Sequence, residues 1–245
     1  TASLSNESTL IKSDSYYLRT EFNANANFNI ENNENSFDLF SLKSGPVMRV
    51  SDKWQISGLP FAEVNLLNYK HFSHKSGLAI GLENTEQYWI NEITLGFGRE
   101  FFTNQYQSYD AAKQQITAKL LFHNLLRKKD QVSIRPVVSY IKAKSSQYTY
   151  FNPGIILQYG VPVADSARIR MLASHFTRLY EGSEINVAKD RRDAKFVVSP
   201  AFIYSGFFFD STDLTAQYHF VQNWSNDGAQ DYKSHSVGVN VKWNY

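Results

Sequence analysis

The chain has 245 residues, a formal net charge of +2, no cysteine and an aromatic content of 15%, with 15 Tyr and 18 Phe. Without cysteine there is no disulfide framework, thiolate metal site or cysteine nucleophile, and the near-neutral charge gives no footprint for nucleic acid. The longest apolar runs, such as Phe207–Phe209, span a few residues, against the ~20 that a transmembrane helix needs. Mean hydropathy is −0.40, an average shared by soluble domains and by barrels whose strands turn one polar face to a wet lumen. A chain that opens on Thr1 with no apolar leader is expected to be the processed form of an exported protein.

Period-two alternation organises the chain. Residues 1–15 are read as a periplasmic N-terminal segment. The first predicted strand covers about 16–30, with Tyr16, Leu18, Thr20, Phe22, Ala24, Ala26, Phe28 and Ile30 on one face. Tyr17, Arg19, Glu21, Asn23, Asn25, Asn27 and Asn29 form the other, a polar face too uniform for an ordinary soluble sandwich. Further strands are predicted at about 37–50, 54–67, 77–84, 88–101, 114–126, 131–142, 148–161, 167–178, 195–209, 214–224 and 234–245. Most reach the ~9–11 residues that cross a bilayer at a tilt. Short polar turns at 51–53, 85–87, 127–130, 162–166 and 210–213 alternate with generally longer connections at 31–36, 68–76, 102–113, 143–147, 179–194 and 225–233. Short turns on one side and long loops on the other build transmembrane barrels, and an even strand count places both termini on the short-turn, periplasmic side. Pro46, Pro60, Pro136, Pro153 and Pro200 fall inside predicted strands, where each loses a ladder bond and is expected to mark a bulge. The expected fold class is therefore all-β: one domain, 1–245, forming a transmembrane antiparallel β-barrel of about twelve strands. A secreted β-sandwich is the soluble alternative.

In the last segment Val237, Val239, Val241, Trp243 and Tyr245 alternate with Gly238, Asn240, Lys242 and Asn244. This ending resembles the C-terminal strand of Gram-negative outer-membrane β-barrels, whose terminal aromatic belongs to the signal read by the barrel assembly machinery. The resemblance implies residence in the bacterial outer membrane, among its lipids and lipopolysaccharide. Asp190–Asp193 reads DRRD, followed by an aromatic-rich strand pair, Tyr218, Asn223–Asn226 (NWSN) and Asp231-Tyr232. That succession, over about the last 55 residues, resembles the barrels of surface lipoprotein assembly modifiers and other tetratricopeptide-associated outer-membrane proteins. It implies export of lipoprotein or polysaccharide with periplasmic partners. Twelve-strand porins for acidic sugars, with an arginine-lined pore, are similar in architecture alone.

The strand faces point Arg19, Lys43, Arg49, Lys119, Arg135, Arg168, Arg170 and Lys242 into the lumen, against Glu21, Glu63, Glu92 and Glu100. That excess of cations favours anions if an aqueous path exists, and the spacing of Arg168 and Arg170 suits capture of carboxylate or phosphate. Alternatively these groups pair with one another and fill a narrow barrel. The segment His71-Phe72-Ser73-His74-Lys75-Ser76 is read as lying in a loop. Its Ser and His, with Glu83, Asn84 or Glu86 downstream, form the one candidate for a lipid hydrolase, a plain polar loop being the commoner outcome. His123 and His219 are expected as hydrogen-bonded lumen groups, and no cluster has metal-ligand spacing. Lys189, Arg191 and Arg192 are placed in an outer loop, 179–194, which folds into the mouth, binds lipopolysaccharide or is simply solvated. Tyr16/Tyr17, Tyr148/Tyr150/Phe151 and Trp243/Tyr245 read as girdle anchors. The expected function is a non-enzymatic channel for passive diffusion of small hydrophilic anions, without a cofactor. The export barrel and the lipid hydrolase are the alternatives.

Overall fold

The computed structural model describes residues 2–12, 15–26, 37–67, 70–182, 190–206 and 212–243. They form thirteen strands in one sheet, ordered as in the chain. The strands are β1 (Ala2–Lys12), β2 (Tyr16–Ala26), β3 (Phe37–Arg49), β4 (Trp54–Leu67), β5 (Lys70–Thr85), β6 (Trp89–Phe102) and β7 (Ala111–His123). They continue with β8 (Gln131–Ala143), β9 (Tyr150–Ala164), β10 (Ala167–Tyr180), β11 (Arg192–Ser205), β12 (Thr212–Ser225) and β13 (Tyr232–Trp243). Each pairs antiparallel with the next, and β1 returns to lie beside β13. Because the strand number is odd, β1 and β13 run in the same direction. Three 3₁₀ turns, Asn104–Tyr109, Ser146–Tyr148 and Gly228–Gln230, all lie in connections at one rim.

Alternating burial separates two faces, as along β6, where Leu95, Phe97 and Arg99 are exposed and Thr94, Gly96, Gly98 and Glu100 are half-buried. The outward face is a belt of exposed apolar side chains that includes Leu42, Ile56, Leu78, Ile93, Ile116, Val138, Leu157, Met171 and Phe202, and reaches 79% exposure at Val237. Water does not tolerate a continuous apolar surface of that extent; a hydrocarbon layer does. The interior is correspondingly polar. Among the described residues the buried polar set, which includes Ser73, Ser139, Asp193, Ser199 and Asn223, outnumbers the buried apolar one of Val47, Leu59, Val137, Tyr180 and Ala201. Exposed Tyr16, Trp54, Tyr88, Trp89 and Tyr204 mark one rim and Phe101, Phe151, Trp224 and Tyr232 the other, the paired girdles of a membrane barrel.

The twelve predicted strands are all present, and β1 is an addition. It occupies most of the stretch expected as a periplasmic tail, because Ala2–Lys12 has no aromatic residue and mixes Ser and Asn with Leu on one alternating set. The extra strand corrects the placement of the ends. Ala2 pairs with Ala26 at the rim of the longer connections, while Trp243 pairs with Thr212 at the opposite rim. The second correction concerns residues 68–76. They are not a long connection, since β5 begins at Lys70. Asn65 pairs with Ser73 but Leu66 pairs with His71, so Phe72 is the extra residue of a bulge, and a bulge breaks the period that would reveal the strand.

The five prolines expected inside strands mark no bulges; a sixth, Pro162, lies in β9 beside the register shift between Ala167 and Arg168. Ladder pairing is interrupted at Pro46 and Pro60 between β3 and β4, at Pro136 between β7 and β8, at Pro153 between β9 and β10, and at Pro200 between β11 and β12. The register resumes unchanged after each gap, as when Val198↔Phe220 is followed by Ala201↔Gln217. At Pro200 a side chain compensates: the Ser199 hydroxyl donates to the Tyr218 carbonyl opposite the missing N–H, at 3.1 Å.

Close approach demands glycine at position 77. A Cβ there would meet the Phe97 carbonyl oxygen and the Phe61 ring, while at Gly238 it would meet nothing within 4 Å. Gly77→Val should therefore destabilise the refolded barrel by about 2 kcal/mol or more, and Gly238→Val should change little. Urea unfolding of both variants in vesicles checks the contrast.

Candidate functional site

Four elements of the rim with the longer connections lean tyrosines over the lumen. Tyr109 and Tyr148, from two of the 3₁₀ turns, stack at 3.9 Å between ring centroids and 22° between planes. Phe102 of β6 touches Tyr109 at 5.8 Å. Tyr150 and Tyr180 are cross-strand partners on β9 and β10, with rings 5.0 Å apart. With Lys75, Glu100, Lys113, Ile141, Arg191 and Gln230 they enclose a mouth cavity of about 420 Å³.

The cations around this mouth are nearly all held. The Arg178 guanidinium lies 5.5 Å over the Tyr150 ring, its Nε buried without a hydrogen-bond partner among the described residues. Arg191 lies 4.5 Å over Tyr180 and forms a two-pronged bond to Asp193, Nε to Oδ1 at 3.0 Å and Nη2 to Oδ2 at 2.7 Å. Asp193 also accepts from the Ser225 hydroxyl at 2.7 Å. Lys75 reaches Glu63 at 2.8 Å and sits over Phe61. Glu100 accepts from Ser73, which in turn accepts from Asn65, each at 2.8 Å. Lys113 is half-buried near Lys75, Glu63 and Glu100 and forms no direct ion pair or hydrogen bond among the described residues. Its cross-strand neighbour on β6 is Gly98, beside which the Phe61 ring and the Lys75 side chain lie. A half-buried ammonium that lines the cavity and is held by no direct ion pair is favourably placed for a bound anion.

Deeper in the lumen, on the β2–β6 side, charges fill the space. Arg19 contacts Glu21 at 2.8 Å and Lys43 reaches the same carboxylate at 3.4 Å. Lys119 faces Glu92 at 3.7 Å. Gln55 donates to Glu83 at 2.7 Å and accepts from Tyr17 at 3.1 Å. The free volume left among Arg19, Lys43, Gln55, Glu83 and Glu92 is about 40 Å³, little more than one water.

Of the expected lumen residues, Arg19, Glu21, Lys43, Glu63, Glu92, Glu100 and Lys119 face inward and are bonded as described. Arg135 and Arg170 are half-buried on the inward faces of β8 and β10. Arg168 is exposed at the short-turn rim, beside Asp213 in a second cavity of about 230 Å³, so it does not share one inward patch with Arg170. Arg49 is exposed at that same rim. Lys242 lies in β13 opposite Asp213, its side chain outside the described residues, as is Lys189 altogether. Arg192 is exposed at the first position of β11. Arg191 corrects the expectation most: it is no outer-loop group but a buried lumen residue, because its carboxylate partner Asp193 is already on the inward face of β11.

Lys75, Lys113, Arg178 and the tyrosine cluster are additions to the expected lining. Lys75 and Lys113 fell in segments taken as loops. The signal for Lys113 was its phase, since it continues the inward set Gln115, Thr117 and Lys119 by one step. The proposed serine–histidine pair is separated by the wall. Ser73 is fully buried toward the lumen, whereas exposed His71 and His74 stack with each other at 5.5 Å, and His74 stacks on Phe101. The geometry a lipid-facing hydrolase requires is absent from this segment.

No family model matches the chain, and no curated protein is similar to it in sequence. In structure it is similar to OmpT (in-vitro folded), an outer membrane protein of Vibrio cholerae, with a TM-score of 0.56 at 8% identity, covering 97% of this chain and 87% of that one. At that identity the likeness shows the fold, an outer-membrane β-barrel.

Asp193→Asn should leave Arg191 buried without its carboxylate and lower stability by about 3–5 kcal/mol. Ser73→Ala should cost about 1–3 kcal/mol by stripping bonds from Asn65 and Glu100, with phospholipid turnover undetectable before and after. Urea midpoints in vesicles and a lipid hydrolysis assay test both.

Proposed function

We propose that this barrel sits in the bacterial outer membrane as a channel for passive diffusion of small hydrophilic anions, without a catalytic step. The observation that carries the reading is the unpaired Lys113 ammonium in a mouth cavity whose other cations are Lys75 and Arg191. A carboxylate or phosphate arriving there meets an ammonium that no protein carboxylate holds in a direct ion pair, at a site where partial burial weakens screening. The tyrosines offer ring faces and hydroxyls for the rest of the solute. The ion-paired interior below supports a small cargo through steric selection. It is poorly suited to the lipoprotein or polysaccharide that the C-terminal resemblance suggests, and no partner is required.

The refolded protein in a planar bilayer under a salt gradient is expected to give a stable current with an anion-leaning reversal potential. Lys113→Gln should reduce the anion-to-cation permeability ratio by roughly twofold and Lys113→Glu by more, while Arg49→Gln, at the exposed opposite rim, should do less. A bilayer that stays silent, or a reversal potential indifferent to position 113, would sink the reading.

A further inference from the structure

The turn between β7 and β8 is built in a way that the channel reading leaves unused. Residues 124–130 read Asn-Leu-Leu-Arg-Lys-Lys-Asp, and Asn124 to Lys129 are all exposed, Leu125 at 54% and Leu126 at 70%. This is not slack loop. Asp130, 1% exposed, accepts from three successive backbone N–H groups: Leu125 at 2.8 Å, Leu126 at 2.9 Å and Arg127 at 2.9 Å. The Asn124 side chain accepts from the Lys129 N–H at 2.6 Å. Asn124 and Lys129 are held at φ 58° and 65°, conformations that side-chain-bearing residues adopt at a cost. A buried carboxylate and two left-handed residues thus fix two leucines on the surface beside three cations. Arg127, Lys128 and Lys129 form no ion pair among the described residues; the β3–β4 and β5–β6 turns at the same rim, by contrast, are joined by Lys53 and Glu86 at 2.8 Å.

The surroundings identify the medium. The His123 N–H donates to the Tyr88 carbonyl, and Trp89 pairs with Phe122. The turn therefore continues the aromatic girdle of Tyr88, Trp89 and Trp54 at the short-turn rim. That level of a membrane barrel is the boundary between acyl chains and headgroups, where leucines sink into the apolar edge and lysines and arginines meet phosphates. We propose that the 124–130 turn is a binding site for an anionic phospholipid, its phosphate and headgroup charge taken by Arg127, Lys128 and Lys129 and its upper acyl chain lying on Leu125 and Leu126. The proposal depends on the barrel's residence in a membrane and not on what passes through the lumen.

The test uses the full chain with Trp89 as the single tryptophan (Trp54→Phe, Trp224→Phe, Trp243→Phe), refolded into phosphatidylcholine bilayers. Increasing fractions of dibrominated phosphatidylglycerol or dibrominated phosphatidylcholine then quench its fluorescence. Phosphatidylglycerol is expected to compete for the site about fivefold better than phosphatidylcholine. The preference should fall to about one with Arg127→Gln/Lys128→Gln/Lys129→Gln, and collapse in 1 M salt, at a Debye length of ~3 Å, for the unsubstituted turn. A protein keeping only Trp224, at the other rim, should show no preference. Equal quenching by both lipids at Trp89, a preference untouched by the triple substitution and by salt, or one abolished by millimolar inorganic phosphate would each overturn the proposal, the last by showing a general anion site.

Discussion

A peptide group in hydrocarbon has no water to bond, so every N–H and C=O of the wall must find its partner inside the protein. The rest of this structure depends on that constraint. It explains why the strands form one continuous meander in which β1 comes back beside β13. It also explains how Pro46, Pro60, Pro136, Pro153 and Pro200 are accommodated: each removes one donor, and the register runs on past the gap without slipping. A slip by one residue would turn every charged lumen side chain into the lipid, which is far more costly than a lost ladder bond. Ser199 shows the repair directly, with a hydroxyl standing in for the missing backbone donor.

With lipid outside, the polar residues have only the interior, and the interior must satisfy them in turn. The result is a core held by electrostatics rather than by apolar packing: Arg19–Glu21–Lys43, Glu92–Lys119, Glu63–Lys75 and Arg191–Asp193. Such pairs lose much of their Coulombic gain to desolvation, so they specify the arrangement of the lumen more than they stabilise it. Against this background of pairing, Lys113 has no direct ion pair, and it lies where the barrel opens into the mouth cavity. The two rims then divide the work. One gathers tyrosines and cations over the lumen and is suited to selecting a solute. The other holds its leucines, lysines and aromatics outward and is suited to fixing the barrel in its leaflet.

Alternation along the chain determined the fold class, twelve of the strands and the inward position of Arg19, Lys43, Lys119, Arg135 and Arg170, because a side chain's face in a strand is a local property of period two. It could not reveal β1, whose polar composition hides the alternation and whose strand character comes from pairing with β2. Nor could it carry the phase across the bulge at Phe72, so Ser73 and Lys75 were read as loop and Ser73 was joined to histidines on the other side of the wall. Tertiary structure alone decided which charges are neutralised, since Glu63 pairs with Lys75 and Arg191 with Asp193 through registers and rim geometry that no single strand encodes. The same holds for the mouth: Tyr109 and Tyr148 from two turns meet Tyr150 and Tyr180 from β9 and β10 over one opening, and Lys113 has no direct ion pair there because Glu63 bonds Lys75 and Glu100 accepts from Ser73.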